Sequence, residues 1–291
     1  MHYWCSVVMK MKLSPPAKIN LSLRVLRQRA DSYHEIETLI AYITLEDALE
    51  LQLISGGKVM LECNDPALPS GHTNLAVIAA NAYLQMAGSK FGVRIVLEKH
   101  IPSGAGLGGG SSDAASVLLG LDALHDGCLG RSCLASIAAH IGSDVPFFLG
   151  HSMAWCRGRG EIYEPVHFSG FDRSVLLVKP PFSVPTSWAY SRWKSAQKIP
   201  GLPYDRQPSP WGDLFNDLEV PVFEKFPLLG IIKRWLLKRP EVEIALMSGS
   251  GSTVFAILRD DKASNHLIAQ VYAAFGLQTW VSVCKTQFTR I

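Results

Sequence analysis

The residues with the greatest chemical potential lie in one run, Pro102-Ser103-Gly104-Ala105-Gly106-Leu107-Gly108-Gly109-Gly110-Ser111-Ser112, in which five of eleven positions are glycine. Glycine tolerates positive φ and leaves its amide uncovered, so successive N–H groups of such a run can face one anion. A phosphate chain is the ligand that suits this chemistry best. Apolar residues at Ala114, Ala115, Val117, Leu118, Leu121 and Leu124 predict a helix over residues 111–125 directly after the run. Ser111 or Ser112 can cap it, and its N-terminus adds partial positive charge beside the glycines.

Other glycine chemistries fit less well. Gly104, Gly106 and Gly109 satisfy G-x-G-x-x-G, but a dinucleotide loop leaves its strand almost directly and has an acidic residue about 20 positions on. Here Lys99, His100, Ile101 and Pro102 intervene, and Asp122 and Asp126 fall too early. No glycine run is followed by the lysine of a Walker A loop, and the H-R-D and D-F-G triplets of protein kinases are absent. A flexible surface linker is the plain alternative, and Leu107 inside the run and the helix behind it argue against that.

A scaffold must hold this loop, and 291 residues at 48% hydrophobic content can bury a large core as one large domain or two modest ones. Alternation of Ile19, Leu21, Leu23 and Val25 with Asn20, Ser22 and Arg24 predicts a half-buried strand whose other face carries Lys18, Asn20 and Ser22. A turn over 28–32 follows, then strands over 48–53 and 58–62, a helix over 74–86 capped by Thr73, and a strand over 93–98. After the loop come a helix over 132–141 and strands over 152–157 and 174–179. The proline-rich stretch 180–210 reads as a largely exposed connection. Beyond it are a helix over 222–238, strands over 243–247 and 253–258, a helix over 263–275 and a strand over 279–284. This mixture without strict alternation gives an α+β class. The glycine-serine segment Met247–Ser252 fits a tight hairpin as well as a ligand contact.

Composition excludes several classes. A net charge of +3 without any basic run of five residues gives no nucleic-acid partner, and no apolar stretch of 18 residues gives no membrane partner. Six cysteines without C-x-x-C spacing suggest neither a zinc site nor a disulfide framework, so reduced thiols in a cytoplasm fit best. Residues 1–10 lack the order of a signal peptide and read as a loose start.

Taken together, Pro15–Leu21, Pro102–Ser112 and Met247–Gly251 resemble the three motifs of the GHMP kinases, the superfamily of galactokinase, homoserine, mevalonate and phosphomevalonate kinases. Arg29-Ala-Asp-Ser-Tyr-His34, Gly142-Ser-Asp-Val-Pro146 and Phe215-Asn-Asp-Leu-Glu219 are similar to the branch acting on a cytidine-diphosphate-linked methylerythritol. Ser32 departs from that pattern, which has glycine before Tyr-His and so calls for negative φ if serine is to be tolerated. Asp113 departs too, standing where asparagine is common, and is expected to face away from the phosphates.

The resemblance implies a two-domain fold, with a mixed α/β nucleotide domain over 1–165 and a ferredoxin-like substrate domain over 166–291. It implies transfer of the ATP γ-phosphoryl group to the substrate's 2-hydroxyl, with Mg2+, in the mevalonate-independent isoprenoid pathway, by a monomer or weak homodimer. Lys18 and Asp144 would be the catalytic pair, and residues 102–112 would hold the nucleotide. Asn20, Tyr33, His34, Thr186 and Tyr190 would bind the substrate, with Tyr33 and Tyr190 stacking on the base. Lys99 could assist with phosphates or be a plain surface lysine. Another GHMP kinase, of homoserine or mevalonate type, and a nonenzymatic nucleotide-binding protein are the alternatives.

Overall fold

The computed structural model describes residues 9–150, 152–168, 172–260 and 264–287, so the expected loose start before residue 9 and the helix position Ala263 lie outside the described residues. Two compact units form, Met1–Pro16 with Glu46–His100 and Gly109–Leu149, and Ala17–Leu45 with Ile101–Gly108 and Gly150–Ile291.

In the first unit, β1 (Lys10–Leu13), β4 (Ala48–Ser55), β6 (Phe91–Glu98) and β5 (Val59–Cys63) form a sheet in that order. Only the β5–β6 pair is parallel. Helices α1 (Leu75–Met86), α2 (Gly109–Leu124) and α3 (Gly130–Ile141) pack together beside it, followed by a 3-10 turn, Pro146–Leu149. A Cβ on Gly120 would come within 2.6 Å of Leu13 and Leu51, so α2 rides directly on β1 and β4. Two expected caps are corrected. Asn74, not Thr73, caps α1, its Oδ1 accepting from the Ala76 amide at 2.9 Å. Because α2 already starts at Gly109, Ser111 and Ser112 sit on its first turn and do not cap it.

In the second unit, β2 (Pro16–Gln28) and β3 (His34–Glu46) are the central strands of a six-stranded sheet, β10-β11-β2-β3-β7-β8. The remaining members are β7 (Met153–Gly158), β8 (Ile162–Pro165), β10 (Gln207–Ser209) and β11 (Gly212–Asn216). The polar face of β2 is not solvated as expected, for Lys18, Asn20 and Ser22 are all at most 4% exposed. A second sheet runs β12-β13-β9-β14, from β9 (Ser174–Lys179), β12 (Val242–Met247), β13 (Val254–Leu258) and β14 (Trp280–Lys285), all pairs antiparallel. Helices α5 (Glu219–Lys225) and α6 (Pro227–Leu237) connect β9 to β12, and α7 (Ser264–Phe275) connects β13 to β14. That is the βαββαβ order of a ferredoxin-like unit.

Its core joins Leu176, Val178, Val222, Phe223, Ile232 and Ala256. The expected single helix over 222–238 is two helices, because Pro227 cannot continue α5 and opens α6 instead. The proline-rich stretch is also more ordered than expected, containing α4 (Thr186–Arg192) and β10. Among the described residues no helix is long and apolar enough to cross a membrane.

Candidate active site

The glycine run is built on an alternation. Gly104, Gly106 and Gly108 have φ of 61°, 75° and 73°, while Ala105 and Leu107 keep negative φ. The intervening side chains are anchors, Ala105 and Leu107 being 2% and 1% exposed within the apolar core that includes Ile19, Leu21 and Phe255. Three successive carbonyls are then tied back to the scaffold. Ala105 O accepts from the Thr253 amide at 3.2 Å, Leu107 O from the Lys18 amide at 2.9 Å, and Gly106 O from the Ser248 hydroxyl at 2.8 Å. In a trans peptide the N–H points opposite to the C=O. The amides of Gly106, Leu107 and Gly108 therefore turn away from those donors, as an anion nest requires. Gly106 has no substitute here, since a Cβ would lie 2.2 Å from the Ser248 carbonyl oxygen.

Lys18 and Asn20 project from the same face of β2. Lys18 Nζ donates to Asn20 Oδ1 at 2.6 Å, and Asn20 Nδ2 donates to Thr38 Oγ1 at 2.9 Å, whose own hydroxyl donates to Ser22 O at 2.6 Å. This chain fixes which way the Asn20 amide faces. The turn between β12 and β13 adjoins it, because the Asn20 backbone N–H donates to Ser248 Oγ at 3.3 Å and a Cβ on Gly249 would lie 3.5 Å from Lys18 Nζ. The Met247–Ser252 segment is thus a hairpin turn that also touches the expected site residues.

Among the residues expected to bind the substrate, His34 opens β3 with its ring 5.4 Å from Tyr190, tilted by 30°, and 6.1 Å edge-on from Trp193. Burial, with Lys194 nearby, holds the His34 imidazole below its usual pKa, so the neutral ring is favoured. Tyr33 is 53% exposed and carries the Arg159 guanidinium 4.8 Å over its ring. Exposed Thr186 shares a 2.9 Å hydrogen bond with Ser250. Ser32 takes φ of 68°, correcting the expectation of negative φ, with the turn held by Tyr33 N to Asp31 Oδ1 at 3.1 Å and Arg29 N to Tyr33 O at 2.8 Å.

Gly109, Gly110, Ser111 and Ser112 belong to the first unit, at the start of α2, where the Ser112 hydroxyl is buried without a hydrogen-bond partner. Asp113 turns into the protein and accepts from Lys99 Nζ at 2.7 Å. Lys99 is no surface lysine, its side chain being 6% exposed and also paired to Asp47. Asp144 sits half-buried between α3 and the 3-10 turn, where buried Val145, Phe147 and Phe148 anchor the segment.

Residues 74–151 match the model of the GHMP kinases N terminal domain, and residues 206–277 match that of the GHMP kinases C terminal domain. A 4-diphosphocytidyl-2-C-methyl-D-erythritol kinase of Methylacidiphilum infernorum is 43% identical over 269 residues, covering 91% of this chain and 93% of the relative. The chain belongs to the GHMP kinases, in the 4-diphosphocytidyl-2-C-methyl-D-erythritol kinase family. A relative of the same name from Syntrophotalea carbinolica is 40% identical, covering 84% of this chain and 88% of its own. The crystal structure of a 4-(cytidine 5'-diphospho)-2C-methyl-D-erythritol kinase matches with a TM-score of 0.75 at 36% identity, over 95% of this chain and 100% of that one. A mevalonate kinase structure, at 12% identity and a TM-score of 0.68, shares the fold.

Several residues of this GHMP kinase escape a reading of its sequence. Thr38, Trp193 and Arg159 touch the expected site residues through contacts between distant segments, and a single hydroxyl, ring or guanidinium at such a position carries no spacing signal. Asn216 and Glu219 did have one, for they lie in the Phe215–Glu219 motif.

Proposed function

We infer that this GHMP kinase transfers the γ-phosphoryl group of ATP to the 2-hydroxyl of 4-(cytidine 5'-diphospho)-2-C-methyl-D-erythritol, in the non-mevalonate isoprenoid pathway. The observation that carries the reading is 43% identity along 91% of the chain to a kinase of that name. The alternating loop supports it.

Phosphoryl transfer asks a protein for positioning and charge neutralisation more than for covalent chemistry. The amides of Gly106, Leu107 and Gly108 face the nucleotide phosphates, with Pro102, Ser103, Gly104 and Ala105 shaping the approach and Gly109 and Gly110 opening α2 toward its positive end. GHMP kinases use ATP. Magnesium, when bound, neutralises charge on the phosphates and takes few protein ligands. The Ser111 or Ser112 hydroxyl would hold it, and the partnerless buried oxygen of Ser112 fits that task.

Asp144 accepts the proton of the substrate hydroxyl, and Lys18, oriented by Asn20, stabilises charge on the group in transfer. Asn20 also offers its amide to substrate oxygens. Tyr33 and Tyr190 stack on the cytosine, each worth about 1 to 3 kcal/mol. Neutral His34 hydrogen-bonds the base edge, and Thr186 meets the substrate's polar groups. Residues 1–165 form the nucleotide domain, which also lends Asn20, Tyr33 and His34 to the substrate, and 166–291 form the substrate domain, a division that cuts across the compact units. The kinase acts in the cytoplasm as a monomer or weak homodimer.

A coupled assay of ADP release with the cytidine substrate, homoserine and mevalonate tests the reading. Turnover with the cytidine substrate alone is expected, and turnover only with another alcohol would discard the base clamp. Asp144→Asn should bind ATP normally and lose most turnover, whereas near-normal turnover would remove Asp144 as the base.

A further inference from the structure

The Phe215–Glu219 motif touches none of the reacting groups named above, yet Asn216 and Glu219 both hold the 247–249 segment. Asn216 Nδ2 donates to both Met247 O and Gly249 O at 2.7 Å, while Asn216 Oδ1 accepts from its own Leu218 amide at 2.9 Å. Glu219 Oε1 accepts from the Met247 amide at 3.0 Å, and its other oxygen takes a 2.6 Å bond from Lys233 Nζ. All three side chains are buried, at 5%, 2% and 0% exposure. On its other side the motif is sewn to β2. β11 pairs parallel with it through Phe215 and Asn216, the Asp217 amide donates to Leu23 O at 2.9 Å, and Asp217 Oδ2 accepts from the Val25 amide at 2.9 Å.

The segment gripped in this way, Met247 to Gly249, is the one whose Ser248 hydroxyl holds Gly106 O and whose Gly249 lies against Asn20 and Lys18. We propose that Asn216 and Glu219 are positioning residues for phosphoryl transfer, clamping the 247–249 turn to β2 so that Ser248 sets the glycine loop and the Lys18–Asn20 pair in register. The proposal rests on the reading of Pro102–Ser112 as the phosphate loop. Two carbonyls 2.7 Å from one amide NH2 are a geometry that few side chains reproduce, because the group must supply two donors from one atom.

The test compares Asn216→Ala, Ser248→Ala and the double variant by steady-state kinetics on protein shown to be folded by circular dichroism. Asn216→Ala should lower kcat about tenfold or more, as loss of an outer-shell partner does, with KM for the cytidine substrate unchanged. Because both substitutions cut the same chain of contacts, the double variant should lose no more than the worse single one. Additive losses, or parental kcat in folded Asn216→Ala, would overturn the proposal.

Asn216→Asp guards against a variant that does not fold. Its protonated acid can still donate one bond, and its carboxylate would face two carbonyl oxygens, so kcat should fall with rising pH through an ionisation the parent lacks. A profile parallel to the parent's would count against the clamp. Should the parent turn over no alcohol, the functional reading fails on its own, and the clamp is then read from ATP affinity by calorimetry, expected about tenfold weaker in Asn216→Ala and unchanged if the motif only supports the fold.

Discussion

Lys233 and Lys99 are both buried ammonium groups held by carboxylates, but among the described residues Lys233 pairs with Glu219 alone, whereas Lys99 lies between Asp47 and Asp113. In the first cluster the charges balance, and the second Glu219 oxygen is used by a backbone amide. Burial raises the Glu219 pKa, and the Lys233 charge and the Met247 amide pull against that rise. In the second cluster one cation faces two acids. Burial works against the charge on Lys99, but Asp113 and Asp47 outweigh it and raise its pKa. Asp113 moves the same way for a different reason. Burial pushes it up to about 7, with Asp47 repulsion adding to the effect and Lys99 only partly opposing it. Burial is the main cause of the rise at both carboxylates, and the difference is the second acid, whose repulsion adds to the rise at Asp113 whereas at Glu219 the neighbouring ammonium and amide oppose it.

The same chemical change should therefore have opposite effects at the two sites. Glu219→Gln keeps an acceptor for the Met247 amide but leaves the Lys233 ammonium buried without an anion, which should cost about 3 to 5 kcal/mol in urea unfolding. Little change there would break the comparison at once. Adding Lys233→Met removes the stranded charge, and most of the loss should return, since replacing a buried pair outright is often close to neutral. A double variant as unstable as the single one would mean that packing around Lys233, and not its charge, governs the site.

These clusters also mark where the sequence stops being legible. Glycine spacing foretold a loop that takes positive φ, as Gly104, Gly106 and Gly108 do, and Leu107 inside it was a correct sign of an anchored segment. The ferredoxin-like order, too, follows from local periods and from the resemblance. β3 escaped because it is buried along most of its length, so its apolar run Leu39 to Ile43 shows no alternation. The sequence leaves Lys99 as a phosphate helper or a surface lysine, since nothing nearby announces Asp47 and Asp113, which approach it from just before β4 and from α2. The positive φ of Ser32 is equally silent, being imposed by the Asp31 and Arg29 bonds that close its turn. Local patterns fix elements and loops, while side-chain partnerships depend on which distant segments the fold brings together.

Asp113→Asn is the finest test of the comparison, because asparagine copies the protonated acid in shape and lacks only its ionisation. A carboxyl whose folded pKa is raised from 3.8 to about 7 holds its proton more tightly in the folded state. Its contribution to stability is complete below about pH 4 and is lost as pH rises through about 7. The variant escapes that loss. It should match the parent near pH 4, gain progressively above it, and at pH 8 be more stable by about 1 kcal/mol or more, one pKa unit being worth about 1.4 kcal/mol. Urea midpoints for parent and variant at several pH values between 4 and 8 give the difference directly. A variant less stable at pH 8 would show that Lys99 needs both carboxylates charged, and the two lysine sites would then obey one rule after all.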